Sequence, residues 1–172
     1  FCPPVAEEMV TTYARLAPWS KQLEAESVPV VRFHPLGTGE SGGSFRDFTL
    51  TSAVIDAGSA AELARQRLKA ARLGYFGLRL GGTIAMLAAC QRPVDVLVLW
   101  SPVTNISQYM RELFRGLLAK EMVHQGVAKV RRNTQEMIAE LEAEGPLDRM
   151  GRGFSPQLSS EIAAGRNWRG PH

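Results

Sequence analysis

Histidine and cysteine are scarce in this chain, and their scarcity limits its chemistry. The 172 residues include three histidines and two cysteines. Cys2 and Cys90 lie far apart without C-x-x-C spacing, so we expect reduced thiols and no disulfide framework. Cys90 should end a buried helix and be inert. The histidines (34, 124 and 172) are scattered without ligand spacing, so we expect no metal ion and no other cofactor.

Long apolar runs and dense basic stripes are also missing. No apolar run approaches the roughly 20 residues that cross a bilayer, and no basic segment leads into a long apolar one as in a signal peptide. The net charge is +3, from 20 basic and 17 acidic residues. The basic residues between positions 65 and 72 indicate a solvated helix face rather than a nucleic-acid surface. The sequence therefore predicts a cytoplasmic protein with no membrane span and no nucleic-acid partner.

Three short apolar segments predict β-strands. They cover residues 28–33, 73–76 and 94–100 and contain β-branched or aromatic residues. The third is almost continuously apolar, which favours a parallel sheet covered on both faces. The glycine-rich segment 37–43 lacks a full nucleotide-binding motif, so we interpret it as a turn beside a ligand cleft.

Helical patterns alternate with these strands and then follow them. Pro18 should break or kink the first helix, and residues 149–172 indicate a loop with at most one short helix, at 158–164. No further strand is expected after residue 100. This order is typical of an α/β fold, with a parallel sheet flanked by helices and a helical cap. The predicted helices cover residues 7–24, 50–71, 83–90, 106–118 and 127–144.

The most informative motif is Gly77-Leu78-Arg79-Leu80-Gly81, which joins the second predicted strand to the following helix. In a G-x-S-x-G nucleophile elbow, a sharp strand-to-helix turn exposes the central side chain. Here the central residue is Arg79, whose guanidinium stays protonated and cannot attack a carbonyl. The sequence has the frame of a nucleophile elbow without the nucleophile.

Four motifs in order resemble the α/β-hydrolase superfamily and, within it, the type 2 hydrolases associated with the exosortase A system. Residues 2–9 are similar to the loop after the third strand. Residues 33–41 resemble the Asp-x-x-Gly-x-Gly-x-Ser loop after the fourth strand, with His34 where Asp is more usual. Gly-Leu-Arg-Leu-Gly at 77–81 is similar to the type 2 elbow, and VLVLWSPV at 96–103 resembles the next strand. The resemblance implies an esterase-like or acyl-processing hydrolase.

The resemblance also implies a partial α/β-hydrolase fold. Phe1-Cys2 would be the end of a central strand between the strands at 28–33 and 73–76. The acid and histidine of a triad would follow later strands, and no later segment resembles them. We expect residues 1–104 to form the partial core and residues 105–172 to form a helical cap and C-terminal segment. Homo-oligomerisation, or residues outside this chain, would complete the sheet.

Arg79 is the main candidate for ligand binding. At an elbow it would stand at the start of a helix, where N–H groups favour anions. It could clamp a carboxylate or phosphate with two parallel hydrogen bonds. It could also form an internal ion pair with Glu7 or Glu8, which an acidic ligand would displace. We therefore predict a ligand-binding set of Arg79, Glu7 and Glu8.

Candidates for catalysis are few. His34 ends a strand beside the predicted cleft and could act as a base, although a structural hydrogen-bonding role competes with this one. Ser41 in the glycine-rich loop and Ser101 after the third strand are candidate surrogate nucleophiles, and neither has a visible base in the sequence. By resemblance, an oxyanion hole would be formed by the N–H groups of Val5, Ala6 and Leu80.

Three functions are compatible with these features. The first is a hydrolase-like protein that binds a small acidic or acyl ligand through Arg79, with little triad-type hydrolysis. The second is a genuine ester or thioester hydrolase with a non-standard nucleophile, or with a base from a segment outside this chain. The third is a non-enzymatic interaction module or a truncated remnant.

Overall fold

The chain folds into two compact units. The first comprises Phe1–Ser44 and Leu50–Thr104, and the second comprises Phe45–Thr49 and Asn105–His172. The computed structural model describes residues 1–125, 136, 147–149 and 152–154.

The first unit has mixed α/β character, as the alternating pattern predicts. Its two strands, β1 (Gly74–Leu78) and β2 (Val96–Trp100), pair in parallel, and their first residues lie opposite each other, as do their last. A helix connects them, because a parallel pair needs a crossover rather than a tight hairpin. The helices of this unit are α1 (Ala6–Ala25), α2 (Leu50–Leu68) and α3 (Leu80–Gln91).

Phe1 and Cys2 extend this sheet beyond β1. The Cys2 N–H donates to the Phe76 carbonyl at 2.8 Å, and the Leu78 N–H donates to the Cys2 carbonyl at 3.4 Å. On the other side, the Phe1 nitrogen donates to the Val31 carbonyl at 2.7 Å. The order across the sheet is therefore Val31, Cys2, β1 and β2. Phe1-Cys2 lies between the two segments where the sequence predicts it.

Segment 28–33 is not a strand, contrary to the prediction. It joins the sheet through the hydrogen bond between Phe1 and Val31. A ladder needs repeated backbone hydrogen bonds along both of its strands, and among the described residues Val31 makes one such bond to the sheet, with Phe1. The β-branched composition of 28–33 therefore does not produce a strand here.

Alternating side chains give the sheet a helix on each face. Tyr75 is buried, and its hydroxyl donates to the Ala57 carbonyl of α2 at 3.3 Å. The Phe76 ring lies 5.0 Å from the Trp19 ring of α1 and 5.2 Å from the Phe1 ring, centroid to centroid. Because successive residues of a strand face opposite sides of the sheet, α1 lies on one face, and α3, with α2 packed against it, lies on the other.

The start of α3 packs against the sheet at backbone contact distance. A Cβ atom added to Gly77 would lie 2.5 Å from the Gly81 carbonyl oxygen, and one added to Gly81 would lie 2.2 Å from the Cys2 carbonyl oxygen. Both distances are far inside van der Waals contact, so these glycines are required for the approach. Beyond this first turn, the buried apolar side chains of α3 include those of Ile84, Ala85 and Ala88.

Pro18 does not break α1, which runs without interruption from Ala6 to Ala25. A proline inside a helix removes one backbone hydrogen bond and strains the preceding turn. The residue after it, Trp19, packs on Phe76 in the sheet. This tertiary contact holds the second half of α1 in place, so the intrinsic preference of proline is overridden.

β2 is exposed, although its apolar sequence predicts cover on both faces. The exposed fraction is 43% for Val96, 48% for Val98 and 65% for Trp100. Among the residues that the structure describes, β1 is the strand that pairs with β2, and its other edge has no partner strand. Within the described part of the chain, β2 therefore lies at the edge of the sheet, without the second neighbour that apolar parallel strands usually have.

The two cysteines differ in accessibility. Cys90 lies in the last turn of α3 but is exposed, which corrects the prediction of a buried helix end. At about 100° per residue, Cys90 falls on the side of the helix opposite to buried Ala85 and Ala88. Cys2 is fully buried between β1 and Val31, and this burial raises the pKa of its thiol to about 11.

The second unit contains one long helix among its described residues. This helix, α4 (Ile106–Gln125), begins at the predicted residue and continues past the predicted end at 118. The Asn105 side-chain oxygen accepts the Gln108 N–H at 2.9 Å and so caps its first turn. No helix within the described part of the chain is long and apolar enough to cross a membrane.

A short antiparallel pair, β3 (Leu147–Arg149) and β4 (Arg152–Phe154), also belongs to the second unit. It contradicts the prediction that no strand follows residue 100. Strands of three residues are too short to show a hydrophobic period, so the sequence pattern gave no signal. The predicted helices at 127–144 and 158–164 lie outside the described residues, apart from helical Glu136.

Gly81→Ala should lower the free energy of unfolding by at least about 2 kcal/mol, because the new methyl group collides with the Cys2 and Pro3 carbonyls. Gly58→Ala is the matched control. No atom lies within 4 Å of its added Cβ, and alanine is favoured over glycine inside α2 by about 0.5–1 kcal/mol. Urea denaturation measures both changes, and unaltered stability of Gly81→Ala would contradict the packing.

One thiol, that of Cys90, should react rapidly with a thiol reagent at pH 8, and the second should react after unfolding in urea. Cys2 is buried and its pKa is raised to about 11, so it stays protonated and shielded at that pH. Thiol titration with and without urea gives the two counts. In Cys90→Ser the rapid phase should disappear. Rapid reaction of that variant would show that Cys2 is accessible.

Candidate functional site

Three non-glycine residues with positive φ angles lie where parallel segments of the sheet end. Arg79 (φ 55°) follows β1, Ser101 (φ 49°) follows β2, and Ala6 (φ 55°) comes four residues after Cys2. Such backbone conformations cost about 1–3 kcal/mol each and concentrate at functional sites. In open α/β sheets, ligands bind beyond the carboxyl ends of the strands. This edge of the sheet is therefore the candidate site.

The backbone of Arg79 forms the sharp strand-to-helix turn that the glycine frame predicts. Its φ and ψ angles, 55° and −122°, lie outside the left-handed helical region that short polar residues tolerate. Its N–H donates to the Trp100 carbonyl at 3.1 Å. Its carbonyl accepts the Gly82 N–H at 2.9 Å and the Val103 N–H at 3.2 Å. These hydrogen bonds join β2, α3 and the loop after β2 to one peptide.

The Arg79 side chain forms an ion pair with Glu8, one of its two predicted partners. Arg79 Nε donates to Glu8 Oε1 at 2.9 Å, and Glu8 lies in the first turn of α1. The side chains are 33% and 29% exposed, so the pair adds at most about 1 kcal/mol to stability and is open to dissolved anions. The side chain of Glu7, the other predicted partner, is outside the described part of the chain.

Two helix starts adjoin at this site. The cap positions of α1 and α3 are Val5 and Arg79, and neither side chain caps its helix. The first N–H groups of a helix have no intrahelical acceptor and carry partial positive charge. The three predicted oxyanion-hole donors, Val5, Ala6 and Leu80, all lie at these two helix starts. Their role as an oxyanion hole stays a prediction.

His34 has a structural role in the glycine-rich loop. Its Nδ1 accepts the Glu40 N–H at 3.2 Å, and its ring occupies the space in which a Cβ on Gly39 would stand, 2.6 Å from that ring. The Tyr13 ring lies 5.2 Å away on another side. The Nδ1 atom of His34 is thus used within the fold. The structural hydrogen-bonding role predicted for His34 is therefore observed, and its role as a catalytic base stays a prediction.

Neither candidate serine is paired with a base among the described residues. The Ser41 hydroxyl donates to the His34 carbonyl oxygen at 2.5 Å, so the two residues meet without an imidazole–hydroxyl contact. Ser101 is exposed, and the hydrogen bonds of Trp100 and Val103 to Arg79 hold its backbone beside the elbow. The described part of the chain has no cluster of three or more metal-ligating side chains.

Thr83 and Val103 were not singled out from the sequence, yet they shape the site. The buried Thr83 hydroxyl donates to the Val103 carbonyl at 2.6 Å, so it fixes the loop after β2 to the first turn of α3. The sequence signal for this hydrogen bond is a threonine four residues after the centre of the elbow, in an otherwise apolar helix. Together with the Arg79 peptide, this bond sets the position of Ser101.

The described residues at this edge thus provide a cation, its carboxylate partner, two helix starts and an exposed serine. This set offers positive charge and N–H donors, and the described residues show no hydrogen-bonded nucleophile and base like those of a triad hydrolase. No protein-family model matches the chain, and a search of curated proteins found no match.

Proposed function

We propose that this chain is an α/β-hydrolase-like protein that binds a small acidic or acyl ligand through Arg79 and has little triad-type hydrolysis. One observation carries the proposal: Arg79 stands on a strained turn between β1 and α3, with a partly exposed carboxylate as its partner. A guanidinium in this position offers parallel N–H donors that fit a carboxylate or a phosphate.

The order of the sheet supports the hydrolase-like part of the proposal. Val31, Cys2, β1 and β2 follow one another as the superfamily resemblance implies, and the Arg79 turn occupies the elbow position. The Gly-Leu-Arg-Leu-Gly motif supports the narrower resemblance to the type 2 hydrolases associated with the exosortase A system. Residues 105–172 would then act as the cap.

Ligand binding would exchange one carboxylate for another at Arg79. Without a ligand, Glu8 neutralises the guanidinium. An incoming carboxylate or phosphate replaces Glu8, which turns to solvent and recovers its hydration. The first N–H groups of α1 and α3 add partial positive charge on the same side. An acyl ligand with a free carboxylate would bind in the same way.

The same residues account for weak hydrolysis. The elbow residue cannot act as a nucleophile because a guanidinium has no available lone pair at neutral pH. The hydroxyl of Ser41 donates to a backbone carbonyl rather than to a base. N–H groups of Val5, Ala6 and Leu80 would then hold a ligand oxygen without a subsequent bond-breaking step.

A genuine ester or thioester hydrolase is the second candidate function. Ser101 is the observation that favours it, because this exposed serine has a positive φ angle and is tied to the elbow peptide. A base for Ser101 would have to come from outside the described residues.

We also propose that copies of the chain self-associate, since β2 leaves an apolar edge of the sheet exposed. A non-enzymatic interaction module would self-associate but would neither bind anions at Arg79 nor hydrolyse esters. Self-association without anion binding or ester turnover would therefore favour the interaction module.

Arg79→Gln should weaken binding of hexanoate or inorganic phosphate, used as probes, by at least about tenfold, because hydrogen bonds to charged groups contribute about 1.5–3 kcal/mol. Glu8→Gln should strengthen binding about three- to tenfold, since it removes the competing charge at a partly exposed pair. Arg65→Gln, an exposed arginine of α2, is the control and should leave affinity unchanged. Isothermal titration calorimetry measures all four proteins.

The opposite changes in affinity that we expect for Arg79→Gln and Glu8→Gln would show that the probe replaces Glu8 at Arg79. Arg65→Gln shows whether the net charge of the protein alone alters binding. Thermal melts by circular dichroism establish that each variant is folded. If Arg79→Gln binds the probes as well as the unaltered chain, Arg79 does not bind the ligand. Weaker binding in Glu8→Gln would mean that Glu8 supports the site instead of competing for it.

Fluorophosphonate labelling and turnover of a short-chain p-nitrophenyl ester should both be absent above the buffer background, because neither Ser41 nor Ser101 is paired with a base among the described residues. Peptide mapping identifies any labelled residue. Labelling of Ser101 with matching ester turnover, both lost in Ser101→Ala and kept in Ser41→Ala, would instead establish the hydrolase.

A further inference from the structure

The backbone of Ser101 is strained for two independent reasons. Its φ angle is 49°, in the left-handed region that glycine occupies far more readily than serine. The next residue is Pro102, whose ring drives the residue before it towards an extended conformation with a negative φ angle. Strain of this kind persists where the surrounding structure enforces it, and it concentrates at functional sites. The conformation of Ser101 therefore needs a physical reason.

The neighbours of Ser101 hold it in this conformation from both sides. Before it, the Trp100 carbonyl accepts the Arg79 N–H at 3.1 Å. After it, the Val103 N–H donates to the Arg79 carbonyl at 3.2 Å, and the Val103 carbonyl accepts the Thr83 hydroxyl at 2.6 Å. These hydrogen bonds enforce the strained backbone without using the Ser101 side chain.

The Ser101 hydroxyl is available to a ligand. Ser101 is exposed, and within the described part of the chain its hydroxyl has no hydrogen-bond partner. Two other hydroxyls at this edge of the sheet, those of Ser41 and Thr83, donate to backbone carbonyls. Glycine would adopt the backbone angles of residue 101 with less strain. Neither burial nor an internal hydrogen bond therefore accounts for a serine at this position.

Ser101 and Arg79 occupy neighbouring positions at the ends of the two strands. The register of β1 and β2 pairs Leu78 with Trp100, which are the last residues of their strands. The residues that follow, Arg79 and Ser101, therefore stand side by side, on strands that lie about 4.8 Å apart. The strained serine and the strained arginine thus meet at one point of the sheet edge.

We propose that Ser101 is a ligand-binding residue that gives the site a preference for phosphate over carboxylate. The guanidinium of Arg79 stands on a long flexible stem, so that, once released from Glu8, it can lie over the ends of both strands. Its fork binds two ligand oxygens in one plane, which are all that a carboxylate has. A phosphate or phosphate monoester has a third oxygen outside that plane, and this oxygen accepts the Ser101 hydroxyl. The ligand class is therefore a small organic phosphate.

Ser101 also gives a phosphate an advantage over the internal carboxylate. The ion pair joins Arg79 Nε to Glu8 Oε1 at 2.9 Å and leaves the Ser101 hydroxyl unused. A phosphate that contacts both Arg79 and Ser101 gains a charge-assisted hydrogen bond that Glu8 does not make. The inference rests on the proposed anion binding at Arg79 and specifies the chemical class of the anion.

Ser101→Ala should weaken binding of inorganic phosphate by about tenfold or more, because a hydrogen bond to a charged group is lost. Its affinity for hexanoate should change by less than about twofold, since the two carboxylate oxygens stay on the guanidinium. Ser101→Gly should lose the same phosphate affinity and keep or raise the melting temperature, because glycine tolerates the positive φ angle. Ser59→Ala, at an exposed serine of α2, is the matched control and should leave both affinities unchanged.

Isothermal titration calorimetry measures the affinities, and thermal melts by circular dichroism measure the stabilities. If Ser101→Ala binds phosphate as tightly as the unaltered chain, Ser101 does not contact the ligand, and the inference is overturned while anion binding at Arg79 stands. An equal loss for phosphate and hexanoate would also overturn it, because Ser101 would then support Arg79 rather than a third oxygen. Failure of the unaltered chain to bind either probe would overturn the proposed function together with the inference.

Discussion

The peptide of Arg79 holds the candidate site together. Its N–H binds the end of β2, and its carbonyl binds the first turn of α3 and Val103, so three elements are fixed to one residue. These hydrogen bonds offset the unfavourable φ and ψ angles of the turn. They involve main-chain atoms, as do the close contacts of Gly77 and Gly81. The hydrogen bonds that shape the turn therefore do not involve the side chain of residue 79.

The parts of the fold that the sequence predicts are those set by local pattern. An apolar run bounded by glycines marks β1, and small residues mark α3. Pairing is not local, and this explains the two errors in the sheet. Segment 28–33 has strand composition, but among the described residues one backbone hydrogen bond, from Phe1 to Val31, joins it to the sheet. β2 has the composition of a central strand, but within the described residues it pairs with β1 alone and its side chains are exposed. Composition indicates that a segment can form a strand, and the neighbouring segments determine whether it does so and how far it is buried.

The site follows the same division. The strand-to-helix turn could be predicted from the spacing of its glycines, and an acidic partner for Arg79 from the loop that the superfamily resemblance sets opposite the turn. The choice of Glu8, the use of His34 Nδ1 by the Glu40 N–H and the bond from Thr83 to Val103 depend on side-chain directions. Those directions are fixed by tertiary packing. They decide which atoms of His34 and Glu8 are engaged within the fold.

Main-chain hydrogen bonds hold the turn at position 79, so the shape of the turn and the chemistry of its side chain are set by different atoms. An exchange of the side chain at position 79 converts a nucleophile into a cation, or the reverse, while the hydrogen bonds that shape the turn remain. Its neighbours Gly77 and Gly81 have no such freedom. A substitution at position 79 thus leaves the main-chain hydrogen bonds of the turn in place, whereas a substitution of either glycine disrupts the packing of α3 on the sheet.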